Sequence, residues 1–139
     1  MAEKKYAKHL TKNPFWQAPS GANLVSTRHM EKFFGGAFSI DCAFITKPVL
    51  MITKPHKHDF DQYIMFFSAN QDDVNDFDAR IEMTLGDERE KQIITTPTIV
   101  YVPAGMAHGP LNFAKINKPV LFVDVGSSNK YYRVWEAEE

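Results

Sequence analysis

KPHKHDFDQYIMFF, residues 54–67, sets two histidines one residue apart at the head of an apolar run. Side chains at i and i+2 of a strand leave the same face, so His56 and His58 aim both imidazoles into one space, a chelating half-site. Four residues beyond His58 stands Gln62, and the run that follows alternates, with Phe60, Gln62, Ile64 and Phe66 sharing a face. If that strand returns antiparallel across the turn at Asp59, Gln62 faces the two histidines. Asp59 and Asp61 have the opposite parity and read as solvated turn residues.

Outward from this stretch the same pattern recurs. Short runs rich in β-branched and aromatic residues, separated by Pro, Gly, Asn and Asp, fall at 22–27, 36–45, 49–54, 60–68, 78–85, 91–95, 98–102, 109–113 and 120–125, with a further strand at 131–135. So many short strands predict an all-β sandwich or barrel, because one open sheet cannot cover its own apolar face. The barrel occupies about 22–126 of a single domain spanning 1–139, behind an N-terminal arm (1–21) and ahead of a C-terminal strand or arm (127–139). Alternation points Leu50, Ile52, Phe60, Ile64 and Phe66 inward. The polar segment 68–76, SANQDDVND, lacks the sixth-position Gly and closing Glu of a calcium loop and reads as a solvated surface loop.

A third histidine arrives in 102–108, VPAGMAH, where Pro103 and Gly105 impose a tight turn that returns the chain toward the barrel mouth. His56, His58 and His108 with the Gln62 side-chain oxygen suit a first-row divalent ion such as iron, manganese, nickel or zinc, and leave positions for water or substrate. Three neutral imidazoles and a neutral amide leave such an ion its full charge, which favours an anionic oxygen donor as ligand: an enolate, a carboxylate or a 2-oxo acid. No acidic residue in these segments offers a general base. Tyr63, Tyr101 and Lys54, the last sharing parity with His56, are the candidate catalytic side chains, and Met106 and Tyr101 the candidate pocket wall.

The two segments together resemble the cupin family. Its first motif has His-x-His followed by an acidic or amide ligand, matched by His56, His58 and Gln62, the last where the family usually carries Glu. Its second, Pro-x-Gly-x-x-His-x-x-x-Asn, is matched without a gap by Pro103, Gly105, His108 and Asn112. The resemblance covers roughly 35–124 and implies a double-stranded β-helix of the jelly-roll class with a metal inside one end. It further implies dioxygenase, isomerase, decarboxylase or lyase chemistry on a small organic anion, or else a non-catalytic cupin module that binds a metal or small ligand. Asn112, with the parity of His108 and Pro110, is expected to look inward and pin loop backbone.

With 44% hydrophobic and 24% charged residues, the 139-residue chain has enough apolar surface to fold around one core. Sixteen basic against seventeen acidic side chains supply no field that would attract nucleic acid or an anionic membrane. No signal-length or membrane-length apolar run is present, and the lone Cys42 sits among apolar neighbours, which together lead us to expect a soluble, cytoplasmic protein. His9 and His29 have no partner at ligand spacing. A homodimer is expected from the family resemblance and from the terminal aromatics Phe15, Trp16, Tyr131, Tyr132 and Trp135.

Overall fold

A computed structural model describes residues 4–27, 38–128 and 134–135. Twelve strands and one turn of 3-10 helix (Ala7–His9) make up its regular structure. The strands are β1 (Phe15–Gln17), β2 (Asn23–Ser26), β3 (Ser39–Ile45), β4 (Val49–Ile52), β5 (His56–Lys57) and β6 (Gln62–Ser68). They continue with β7 (Ala79–Leu85), β8 (Glu90–Ile94), β9 (Thr98–Val102), β10 (His108–Ile116), β11 (Val120–Gly126) and β12 (Val134–Trp135).

Every pairing is antiparallel, in two sheets. Sheet A runs β1-β2-β3-β11-β6-β9, and sheet B runs β12-β5-β10-β7-β8 with β4 also paired to β10. Consecutive strands thus alternate between distant ladder positions, the wrapping of a double-stranded β-helix, and the all-β expectation holds. Among the described residues, no helix is long and apolar enough to cross a membrane.

Alternation explains the layering. β3 is buried at Ser39, Asp41, Ala43 and Ile45 and turned outward between them, while β11 buries Val120, Phe122, Asp124 and Gly126. Between the sheets lies a core centred on Phe66, Phe113 and Phe122, whose ring centroids are 5.8–5.9 Å apart in tilted and edge-on contacts. Ile64, Ile81, Met83 and Val120 pack around them.

Four local expectations are revised. Within the N-terminal arm, Phe15–Gln17 pairs with β2 and extends sheet A, a strand too short for periodicity to reveal. Leu50 is half exposed at the cavity rim. Asn112 turns outward: the register of β10 shifts between His108 and Leu111, so Leu111 and Phe113 take the inward positions. Asp61 is a structural pin as well as a turn residue, as the site geometry shows. His29, Tyr131 and Tyr132 lie outside the described residues.

Candidate metal centre

Three short segments bring the histidines together. β5 pairs directly with the start of β10, placing His56 opposite His108 with ring centroids 4.1 Å apart. His58, two residues on, stands 4.9 Å from each of the other two rings and stacks on Phe60 at 4.7 Å. One ligand atom from each imidazole lies within 4.8 Å of the others, and all three residues are buried. An ion bonded at about 2.0–2.1 Å to each nitrogen holds them no more than about 4.2 Å apart, so a bound ion would draw the three imidazoles slightly closer.

The turn that carries His108 is held in several ways. Gly105, at φ +84°, supplies the left-handed turn residue, and its N–H donates to the His58 carbonyl at 2.8 Å. Asp61 Oδ1 accepts from the Ala104 N–H at 2.9 Å, so the acid beside the His-x-His pair anchors the opposite loop. Gly109 is needed for a second reason: a Cβ there would meet the Lys54 carbonyl at 2.7 Å and Ile52 Cγ2 at 3.0 Å. The Lys54 carbonyl is also the acceptor facing His56 Nδ1 at 3.4 Å, as the Met106 carbonyl faces His108 Nδ1 at 3.3 Å. Backbone acceptors beside Nδ1 favour the tautomer that leaves Nε2 for an ion.

Gln62 lines the same cavity as His56 and His108. Its Nε2 donates to both carboxylate oxygens of Asp124, at 2.6 and 2.8 Å, which fixes the amide orientation and turns Oε1 away from that acid. Gln62 Oε1 is buried and makes no hydrogen bond, as are and do His56 Nε2 and His58 Nε2. Burying an acceptor without a donor costs about 1–3 kcal/mol. A cation accepted by these atoms removes that cost, so the donor set fits a divalent ion bound by three imidazoles and an amide oxygen.

Asp124 and Asp41 did not stand out in the sequence. They are directly opposite in the β3–β11 ladder, both buried and both lining the cavity, and Asp41 accepts a hydrogen bond from Ser26 Oγ. The signal was present as a charged residue at inward parity in each of two apolar strands, SIDCAFI and VLFVDVG. Their presence also corrects the charge expectation: the carboxylate hydrogen-bonded behind Gln62 offsets part of a bound ion's charge.

The other candidates lie elsewhere. Tyr63 and Tyr101 stack on each other at 5.2 Å on the outer face of sheet A, half exposed and away from the cavity. Burial against neighbours, with the Asp61 carboxylate and Tyr63 beside it, pushes the Tyr101 phenol above its ordinary range, which disfavours a phenolate there. The Lys54 side chain is exposed. Met106 packs against the core, and Trp16, expected to need a partner's cover, lines the cavity instead.

The cavity has a volume of about 330 Å³. Its polar end is formed by His56, His108, Gln62, Asp41 and Asp124, and its walls by apolar residues that include Trp16, Leu24, Met51, Ile64, Met83 and Phe122.

No protein-family model and no curated relative matches the chain. Among solved structures it is similar to an uncharacterised conserved protein with a double-stranded β-helix domain from Klebsiella pneumoniae, with a TM-score of 0.51 at 11% identity over 93% of this chain and 90% of that one. It is similar to the polyketide cyclase RemF from Streptomyces resistomycificus, with a TM-score of 0.51 at 12% identity over 75% and 63% of the two chains. It also matches oxalate decarboxylase from Bacillus subtilis, with a TM-score of 0.52 at 13% identity over 82% and 27%. The chain therefore spans less than two thirds of the cyclase and about a quarter of the decarboxylase. At such identities the likeness is one of fold. With its two wrapped antiparallel sheets and three histidines gathered inside one end, the chain has the cupin fold.

Proposed function

We propose that the protein is a metal-dependent cupin enzyme acting on a small organic anion that has an apolar body. The observation that carries this reading is the gathering of three buried imidazoles, two of which, His56 and His108, line the polar end of a largely apolar cavity together with Gln62. His56, His58, His108 and Gln62 Oε1 would hold the ion. When bound, a divalent ion supplies Lewis acidity that stabilises negative charge developing on a ligand oxygen.

The remaining work falls to the chain itself. Asp124 holds the Gln62 amide so that its oxygen stays turned toward the cavity. Trp16, Met51, Ile64 and Phe122 enclose the ligand's apolar body and exclude water from the reacting end. Asp41, the second carboxylate on the cavity wall, is the group we assign to exchange a proton with the bound acid. This assignment favours the isomerase or lyase among the four chemistries that the resemblance implies, since both turn on proton transfer next to a carbonyl.

The test is deuterium incorporation from D2O at the carbon next to the carbonyl, followed by NMR for a series of 2-oxo acids with alkyl and aryl tails. The expected result is incorporation by the metal-loaded protein above the metal-free rate, lowered about 10²-fold or more in Asp41→Asn. A rise in melting temperature with these acids and no incorporation would contradict catalysis and leave a ligand-binding module.

A further inference from the structure

Among the described residues, the outer face of sheet A carries fifteen side chains in three cross-strand rows, thirteen of them apolar and none charged, with the polar Gln17 and Asn23 at one corner. The central row crosses all six strands: Phe15, Val25, Cys42, Val123, Met65 and Ile99 are successive ladder partners. On one side of it run Ile40, Val125, Tyr63 and Tyr101, and on the other Phe44, Leu121 and Phe67. Seven of these side chains are 37–67% exposed. The outer face of sheet B has a different composition, with Arg80, Glu82, Lys91 and Lys115 on it and ion pairs of 3.4 and 3.8 Å from Arg80 and Lys91 to Glu82.

We propose that the outer face of sheet A is the interface of a two-fold homodimer, occupied by the same face of a second copy of this chain. The proposal stands apart from the metal site. Three properties select a second copy over another partner. First, the area matches: half-exposed aromatics of 150–250 Å² each, with the aliphatics between them, present on the order of 800 Å², which is what one protomer contributes to a standard interface. A monomer rarely exposes a continuous apolar patch of that size.

Second, the three rows carry no charge with which to select or reject a different protein, the Asp61 carboxylate standing beside Tyr101 at the margin, whereas apolar faces of identical shape are self-complementary about a two-fold axis. Third, a nearly complete six-strand surface packs against its copy as two sheets of a sandwich do, about 10 Å apart with interdigitating side chains. Small residues, Cys42, Val123 and Val125, lie toward the middle of the face, and Phe15, Phe44, Tyr101 and Ile99 toward its margins. The axis therefore passes near Cys42 and Val123, where two copies approach most closely.

Sedimentation equilibrium of the full chain tests this, with the alkylation rate of native Cys42 as a second reading. The expected mass is close to twice 15.9 kDa. Val123→Arg should raise the dimer dissociation constant about 100-fold or more, as loss of a central contact does. Ile99→Asp, at the margin, should weaken the dimer less, and Ile93→Arg, on the outer face of sheet B, should leave it intact. Cys42 should be alkylated slowly in the dimer and about ten-fold or more faster on dilution or in Ile99→Asp, which keeps the test available if Val123→Arg fails to fold. A wild-type mass of one chain at every concentration would overturn the proposal and mean that another part of this chain, or a different protein, covers the face. A dimer that persists in folded Val123→Arg, or a Cys42 rate independent of concentration, would also overturn it.

Discussion

Strands β6, β10 and β11 each supply both ends of the barrel interior, and the two ends differ in chemistry. At one end they place Phe66, Phe113 and Phe122, whose rings fill the space between the sheets with almost no exposure. A few residues along the same strands they place Gln62, His108 and Asp124, also buried, with the Gln62 Oε1 acceptor left for a ligand. Burial is therefore the same at both ends and its purpose is not: one end lowers the free energy of folding, and the other spends some of it on a preorganised site.

The largest effect should come from breaking the apolar end. Phe113→Ala removes a ring at 0% exposure that touches both Phe66 and Phe122, and should lower stability by about 3–5 kcal/mol in chemical denaturation. Its folded fraction should keep the wild-type metal stoichiometry, because the site stands on the far ends of the strands.

The converse substitution, His108→Ala, should leave the metal-free melting temperature nearly unchanged. It should abolish the metal-induced stabilisation, which for the wild type amounts to about 2.7 kcal/mol at a free metal concentration 100 times the Kd. Calorimetric melts with and without metal check both halves of this statement. A large loss of metal-free stability in His108→Ala would erase the distinction between the two ends.

A finer test acts on the clamp behind the amide. Asp124→Asn should weaken metal binding about 10–100-fold, because the partner that orients Gln62 is altered. Gln62→Glu alone sets a carboxylate against Asp124 and should also weaken it. The double variant Gln62→Glu with Asp124→Asn restores one donor facing one carboxylate and should recover most of the affinity, measured by competition with a chromogenic chelator. Additive losses in the double variant would show that Asp124 does not orient Gln62.

The smallest effect lies outside the barrel, in the acidic loop. Lys118 Nζ lies 2.5 Å from Asp76 Oδ1, Asn70 donates to Asp76 Oδ2 at 2.9 Å, and together they hold the Asp76 carboxyl below its usual range. The loop acid thus has a lysine and an amide as partners. Because the folded-state value is depressed, the contribution of Asp76 is present above the ordinary carboxylate pKa and fades as pH falls through the depressed one. Lys118→Met should move the Asp76 titration upward in a carboxyl NMR experiment and leave stability near neutral pH almost unchanged, as for most exposed pairs.

The two ends were not equally legible in the sequence. His56 and His58 declare themselves because i, i+2 parity is local, and the turn residues before His108 are recognisable on their own. Phe60, Ile64 and Phe66 follow from the same alternation. Asp41 and Asp124 become members of the site only through the order β3-β11-β6, a long-range pairing that no local pattern specifies. Asn112 misleads because alternation holds only within one register, and β10 changes register between His108 and Leu111. Trp16 is out of reach for a similar reason: a three-residue strand carries no period, and its place at the cavity depends on the pairing with β2.

The central claim is that His56, His58, His108 and Gln62 hold a divalent ion. Elemental analysis of untagged protein, beside the His56→Ala, His58→Ala double variant, tests it most directly. The account predicts close to one equivalent of iron, manganese, nickel or zinc in the wild type, present as purified or taken up on incubation, and none in the variant. No metal in the wild type by either route, or equal metal in both proteins, would contradict it.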